Sequence, residues 1–146
     1  MRPVEQWIWL PADKYPDNQT TTLTCMHGDQ KKDGHYTAAA FRRTYAFDKP
    51  IESVHIRTSG DTFFRLYANK SRIVTGPASV GGDFLSNDRV RPQYYATEVT
   101  LDGEFPGWSA GQLCLEAVVR MQSIRMFEYS MGHGGFFLTA NVRFAD

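Results

Sequence analysis

Apolar and polar residues alternate along most of this chain with a period of two, the spacing a strand imposes because successive side chains point to opposite faces. Glu5-Gln6-Trp7-Ile8-Trp9-Leu10 alternates and stops at Pro11, predicting an opening strand with Trp7 and Trp9 on one face, packed in the core or at an interface. Phe41, Arg43, Tyr45 and Phe47 interleave with Arg42, Thr44 and Ala46 before Asp48-Lys49-Pro50. Val54 and Ile56 share a face of a strand at 53–58, closed by Ser59-Gly60-Asp61. Phe64, Leu66 and Ala68 then oppose Phe63, Arg65 and Tyr67. Asn69-Lys70-Ser71 predicts a tight turn into a strand at 72–75, a hairpin that Gly76-Pro77 ends.

Further along, residues 94–101, 124–129 and 136–144 read as strands. Residues 113–119 are apolar at nearly every position, as a strand buried on both sides would be. A buried helix would give the same run, but its length, its valines and the preceding glycine favour a strand. Residues 11–34 are polar and turn-rich, predicting a long loop with a short strand at 23–26 that serves as an edge decoration or contact surface. Loops fall also at 81–88 and 102–107, and no repeat or low-complexity segment interrupts the pattern. The expected architecture is all-β: one antiparallel β-sandwich domain over residues 1–146.

Composition changes this picture little. With 146 residues and 42% apolar residues, one hydrophobic core can serve the chain. Sixteen basic and sixteen acidic residues cancel to a net charge of zero, which argues against nucleic acid and gives no reason to expect a membrane surface or an acidic polymer as partner. No stretch approaches the roughly 20 apolar residues of a membrane helix. The opening Met1-Arg2-Pro3-Val4-Glu5 does not have the form of a signal peptide. Cys25 and Cys114 match no zinc spacing and are expected to be free and partly buried. Aromatic residues, at 14%, favour both strands and sugar-stacking platforms, with core filling the commoner use.

Catalytic constellations are missing from the pattern. Glycoside hydrolysis needs two carboxylates across a cleft; Asp83, Asp88, Glu98 and Glu116 are available, but Glu98 and Glu116 fall in strands, where a solvated outward role is the plainer reading. No nucleophile-elbow or reactive-thiol signature occurs. His27, His35, His55 and His133 lack the close pairing of a metal site, and Gly81-Gly82 and Gly134-Gly135 lead into no phosphate loop. Binding is better served. A pyranose offers an apolar face and a polar rim, so flat rings beside carboxylates or guanidinium groups suit it. Trp108, with Tyr94, Tyr95, Arg91 and Asp83, forms a candidate platform near loops. The competing reading splits Tyr94 and Tyr95 between core and surface and makes Trp108 the cap of one end of the sandwich. Asn18-Gln19-Thr20 and Asn69-Lys70-Ser71 match the glycosylation acceptor pattern, which chance supplies often.

Taken in order, the motifs resemble the N-terminal β-sandwich region of bacterial α-L-rhamnosidases and related glycoside hydrolases. The carriers are Trp7-Ile8-Trp9, Phe41-Arg42-Arg43-Thr44-Tyr45, and Phe64-Arg65-Leu66-Tyr67-Ala68-Asn69 leading through Ile73-Val74 to Gly76-Pro77-Ala78. Tyr94-Tyr95 running into Glu98-Val99-Thr100-Leu101, Gly111-Gln112-Leu113-Cys114-Leu115 and Gly134-Gly135-Phe136-Phe137-Leu138 complete the order. Lys70 departs from the Asn-Gly usual at this turn, and the stretches 11–34 and 81–91 are longer than in a minimal module. The resemblance implies a jelly-roll, galactose-binding-domain-like sandwich in a larger multidomain enzyme of the bacterial cytoplasm or periplasm. Its catalytic carboxylates would lie on a separate (α/α)-barrel domain, the expected partner, so no catalytic residue carries over to these residues. No cofactor is implied. Related sandwiches often hold a structural calcium, for which Asp83 and Asp88 offer carboxylates without a diagnostic spacing.

Overall fold

The computed structural model describes residues 6–10, 37–61, 63–77, 80–81, 93–94, 96–121 and 135–146. The described strands are β1 Thr37–Ala46, β2 Ile51–Asp61, β3 Phe63–Ala68, β4 Ser71–Pro77, β5 Val80–Gly81, β6 Gln93–Tyr94, β7 Thr97–Asp102, β8 Gln112–Met121 and β9 Gly135–Phe144. One sheet has the order β1-β8-β3-β4, a second the order β7-β2-β9, and β5 with β6 makes a two-stranded ribbon. Every pairing is antiparallel. The chain passes from one large sheet to the other between β1 and β2, β2 and β3, β7 and β8, and β8 and β9, which laces the two into a sandwich. Residues 6–10 meet the open edge of β9, where Ile8 and Phe136 exchange both backbone hydrogen bonds at 2.9 Å.

The core lies between the sheets, built from the inward half of each alternation. Val54, Ile56 and Leu101 come from the three-stranded sheet, and Phe64, Leu66, Leu113, Leu115, Ala117 and Val119 from the other. Burying each of these side chains other than that of Ala117 contributes roughly 1.5–3 kcal/mol. Residues 113–119 form a strand as expected, but with one buried face. Val118 is 39% exposed, and Cys114 and Glu116 are half-buried, because the outer side of the sheet has no covering layer among the described residues.

Other expectations shift in detail. The run at 94–101 is divided between two partners, β6 pairing with β5 and β7 with β2. β2 continues through Ser59 and Gly60, paired with Phe137 and Phe136, rather than closing there. Gly76 sits inside β4 and does not end it; a Cβ there would stand 2.6 Å from Cε1 of Phe64, so the position must stay bare for that ring. β1 begins earlier than its pattern suggests, because Ala38, Ala39 and Ala40, weak strand formers, are held by pairing to β8. The strands expected at 23–26 and 124–129 and the loop at 11–34 lie outside the described residues, as does Cys25; Cys114 is a free thiol.

The β3–β4 hairpin turns on Asn69 and Lys70, both with positive φ (45° and 72°), the mark of a type I′ turn. The Asn69 side chain also ties the hairpin tip to β8 and the 103–107 loop. Its Nδ2 donates to the carbonyls of Pro106 and, at 2.9 Å, Gln112, while its Oδ1 accepts from the Cys114 amide at 2.5 Å. Beside it, Gly111 (φ 68°) closes a short 3-10 turn, Trp108–Ala110. A Cβ at Gly111 would approach the carbonyl oxygen of Phe47 to 2.2 Å, so only glycine fits.

Candidate functional site

β1 is an edge strand, and so is the strip formed by β9 and residues 6–10. Where these edges face each other the sandwich opens into a cleft of about 470 Å³, within the range of small-molecule sites. Alternation places Phe41, Arg43 and Tyr45 on the inward side of β1, in register with Ala117, Leu115 and Leu113 of β8. Phe41 stacks on Phe136 with centroids 5.3 Å apart, and Trp9 leans on Phe41 at 6.2 Å. Leu66, Leu115 and Ala117 line the cleft from the core.

Arg43 stands among inward positions yet is exposed, because an edge strand lets a long side chain reach water. Its guanidinium lies 5.3 Å from the centre of the Tyr45 ring, a cation–π placement. Gln6 and Thr139 add an amide and a hydroxyl to the lining. Arg42 also borders the cleft, and hydrogen bonding to Cys114 followed by the charges of Cys114 and Glu116 raises its pKa above the usual arginine value. The described lining thus offers ring walls, the Arg43 guanidinium, an amide and a hydroxyl, with no carboxylate among the described residues. Such a cleft can hold an amphipathic polyhydroxy ligand.

The two strand carboxylates considered from sequence lie on the outer sides of different sheets. Glu98 pairs with Arg57 at 3.2 Å on the outer side of the three-stranded sheet, and Glu116 with Arg42 at 3.4 Å on the outer side of the four-stranded sheet. Two sheets, stacked about 10 Å apart, stand between them, so they cannot flank one glycosidic bond. His55 Nδ1 lies 3.0 Å from Thr100 Oγ1 on an outer face. No group of three or more potential metal ligands occurs among the described residues, and no helix there is long and apolar enough to cross a membrane.

Of the platform expected from sequence, Trp108 is described with its side chain. It is 2% exposed and stacked on Phe105 at 4.6 Å, in the end-cap position that was the competing reading. Both faces of its ring are therefore enclosed by protein. Tyr94 is placed by its backbone alone, in β6, while Asp83, Arg91 and Tyr95 lie outside the described residues, together with Asp88, His27, His35 and His133. The two opening tryptophans do not share a face. Trp7 packs edge-on against Phe137 at 4.9 Å and Trp9 against Phe41, since one bridge at Ile8 does not impose strand alternation on its neighbours. Arg43 is the residue that sequence reasoning missed as a cleft-facing group. Its signal was an arginine in phase with the inward aromatics Phe41 and Tyr45.

No family model matches this chain, and no curated protein does so either. Among solved structures it is similar to a β-glucosidase from Kluyveromyces marxianus, at 12% identity and a TM-score of 0.49, over 75% of this chain and 12% of that one. A glucose complex of that β-glucosidase gives 10% identity and a TM-score of 0.42, over 77% and 11%. A PA14 sugar-binding domain from an RTX adhesin gives 16% identity and a TM-score of 0.34, over 74% of this chain and 47% of that one. The chain thus spans well under two thirds of each protein's length. None of these likenesses is close enough to carry an activity across.

Proposed function

We propose that this chain is a non-catalytic, carbohydrate-associated β-sandwich module that holds a sugar ring in the cleft between β1 and β9. The observation that carries the reading is the cleft's lining, in which aromatic walls meet Arg43 and Gln6, with no carboxylate among the described residues. A pyranose would lay its C–H face against an aromatic wall and direct hydroxyls to the guanidinium and amide groups. The module would serve as an accessory domain of a larger glycoside hydrolase, supporting or orienting a separate catalytic domain. The ordered motifs favour an α-L-rhamnosidase-type parent with an (α/α)-barrel. An independent module recognising plant-type glycans is the second reading, favoured by the same lining.

Titration with L-rhamnose, D-glucose and soluble plant polysaccharides, followed by tryptophan fluorescence, tests this, because Trp9 adjoins the cleft wall. At least one sugar should perturb the signal at millimolar concentration or below, and Arg43→Ala should weaken that binding at least fivefold while leaving the fold intact. Phe41→Ala should abolish it, at some cost in stability. Aryl α-L-rhamnoside should not be turned over. A flat titration with every sugar would end the binding reading, and turnover would end the non-catalytic one.

A further inference from the structure

Rings and guanidinium groups meet a second time, on the outer side of the four-stranded sheet. β3 turns Phe63, Arg65 and Tyr67 outward, and pairing decides their neighbours. Arg65 lies between Val118 of β8 and Thr75 of β4, Tyr67 between Glu116 and Arg72, and Phe63 opposite Arg120. Adjacent strands are about 4.8 Å apart and outward positions on one strand about 7 Å apart, so these groups form a compact lattice. Arg65, Arg72 and Arg120 are exposed, and no ion pair engages them among the described residues. Glu116, the carboxylate of this face, is engaged by Arg42 at 3.4 Å. Arg65, Tyr67, Thr75, Val118 and Arg120 border a depression of about 240 Å³.

We propose that this face binds an acidic polysaccharide, a chain of pyranoses bearing uronate carboxylates. Arginine's planar fork matches a carboxylate bidentately, and the face holds such forks in surplus over its own acid. Tyr67 and Val118 supply apolar contact for a ring, and Thr75 a hydroxyl. Charge complementarity alone would admit a nucleic acid as well. Ring carboxylates suit the arginine forks bidentately, and Tyr67 with Val118 gives a pyranose C–H face an apolar contact; tighter capture by poly(A) is the outcome that would favour the nucleic acid. The proposal extends the carbohydrate reading with a ligand class and a second site, which points outward rather than between the sheets.

Electrophoresis of the full chain through gels containing polygalacturonate tests it, with dextran as the neutral polymer and polyglutamate and poly(A) as competitors. Polygalacturonate should retard the chain and dextran should not do so through this face. Arg65→Ala with Arg120→Ala should weaken retardation at least tenfold, and the lysine versions should fall between, since charge returns without the fork. Tyr67→Ala, which keeps every charge, should weaken it at least threefold. Unchanged thermal melting midpoints for the two arginine variants would confirm that the fold is intact. Absence of retardation, equal competition by polyglutamate, full binding by Tyr67→Ala, or tighter capture by poly(A) would each overturn the proposal. The cleft is tested separately: Arg43→Ala should leave polygalacturonate binding within twofold, so either site can fail while the other stands.

Discussion

The two outer faces of this sandwich are built by the same alternation yet handle charge in opposite ways. On the three-stranded sheet, Arg57 lies directly opposite Glu98 and pairs with it at 3.2 Å, and Arg143 pairs with Glu52 at 2.8 Å. Arg57 also lies over the Phe137 ring at 5.7 Å. On the four-stranded sheet the Arg42–Glu116 pair is joined by Arg65, Arg72 and Arg120, whose cross-strand partners are Val118, Thr75, Tyr67 and Phe63. The difference is one of composition laid out by register: among the described residues one face carries Arg42, Arg65, Arg72 and Arg120 against Glu116, the other Arg57 and Arg143 against Glu52, Glu98 and Asp102. A net charge of zero for the whole chain conceals a face whose arginines are paired and a face that holds donors for something else. Exposed pairs contribute only about 0–1 kcal/mol each, so stability gives little reason for either arrangement.

Supplying the missing carboxylate should erase the contrast with the largest effect. Thr75 is exposed and directly opposite Arg65. Thr75→Glu therefore places an acid against the unpaired arginine and converts the second face into a copy of the first. Polygalacturonate affinity should drop at least tenfold in the gel assay. Stability should move by less than about 1 kcal/mol in urea unfolding, the cross-strand pair roughly offsetting the lost strand preference of threonine. Unchanged affinity would mean that the face works without Arg65.

The converse change should do less. Glu52→Gln with Glu98→Gln removes the two paired acids of the three-stranded face while leaving its arginines and Asp102 in place. Arg57 remains over Phe137, so its guanidinium is only partly released. Polygalacturonate binding should rise two- to threefold, and the loss of stability should stay below about 1 kcal/mol per pair. A gain as large as the loss expected from Thr75→Glu would show that any cluster of exposed arginines suffices, and the Tyr67 contact would lose its meaning.

How far the sequence foretells all this depends on the range of the interaction. The alternation of β3 and the Asn69-Lys70 turn are local, and both were legible. The neighbours of Arg65 were not, because Val118 arrives from a strand whose place in the sheet no local pattern encodes. The same holds for Asn69, whose amide reaches partners 37, 43 and 45 positions away; a turn signal shows none of them. Gly76 read as a strand end because its true cause, the Phe64 ring, becomes adjacent only when β3 and β4 pair. Arg43 was visible as an arginine in phase with aromatics, but only the sheet order makes β1 an edge and so turns it into a cleft residue. Trp108 shows the reverse error of scale. Proximity to a loop suggested a platform, and the core has claimed the ring.

The smallest expected effect sharpens the comparison at the tip of the arginine-bearing sheet. Lys70 holds φ at 72° in a position of the type I′ turn where glycine rests without strain. Lys70→Gly should therefore raise stability by about 0.5–1 kcal/mol, the relief of a left-handed side-chain residue offset in part by the greater freedom of glycine in the unfolded chain. The Asn69 contacts, which depend on the same turn, should persist, so the urea midpoint should rise with no change in slope. The substitution also removes an exposed cation two positions from Arg72, and polygalacturonate affinity should fall by no more than twofold. A stabilised chain with slightly weaker binding would mean that the hairpin tip keeps a strained cation where glycine would fold better, a pattern that ligand binding explains and folding does not. A stabilised chain with unchanged binding would confine the site to Arg65, Tyr67, Arg72 and Arg120 and leave Lys70 as a cost without a ligand.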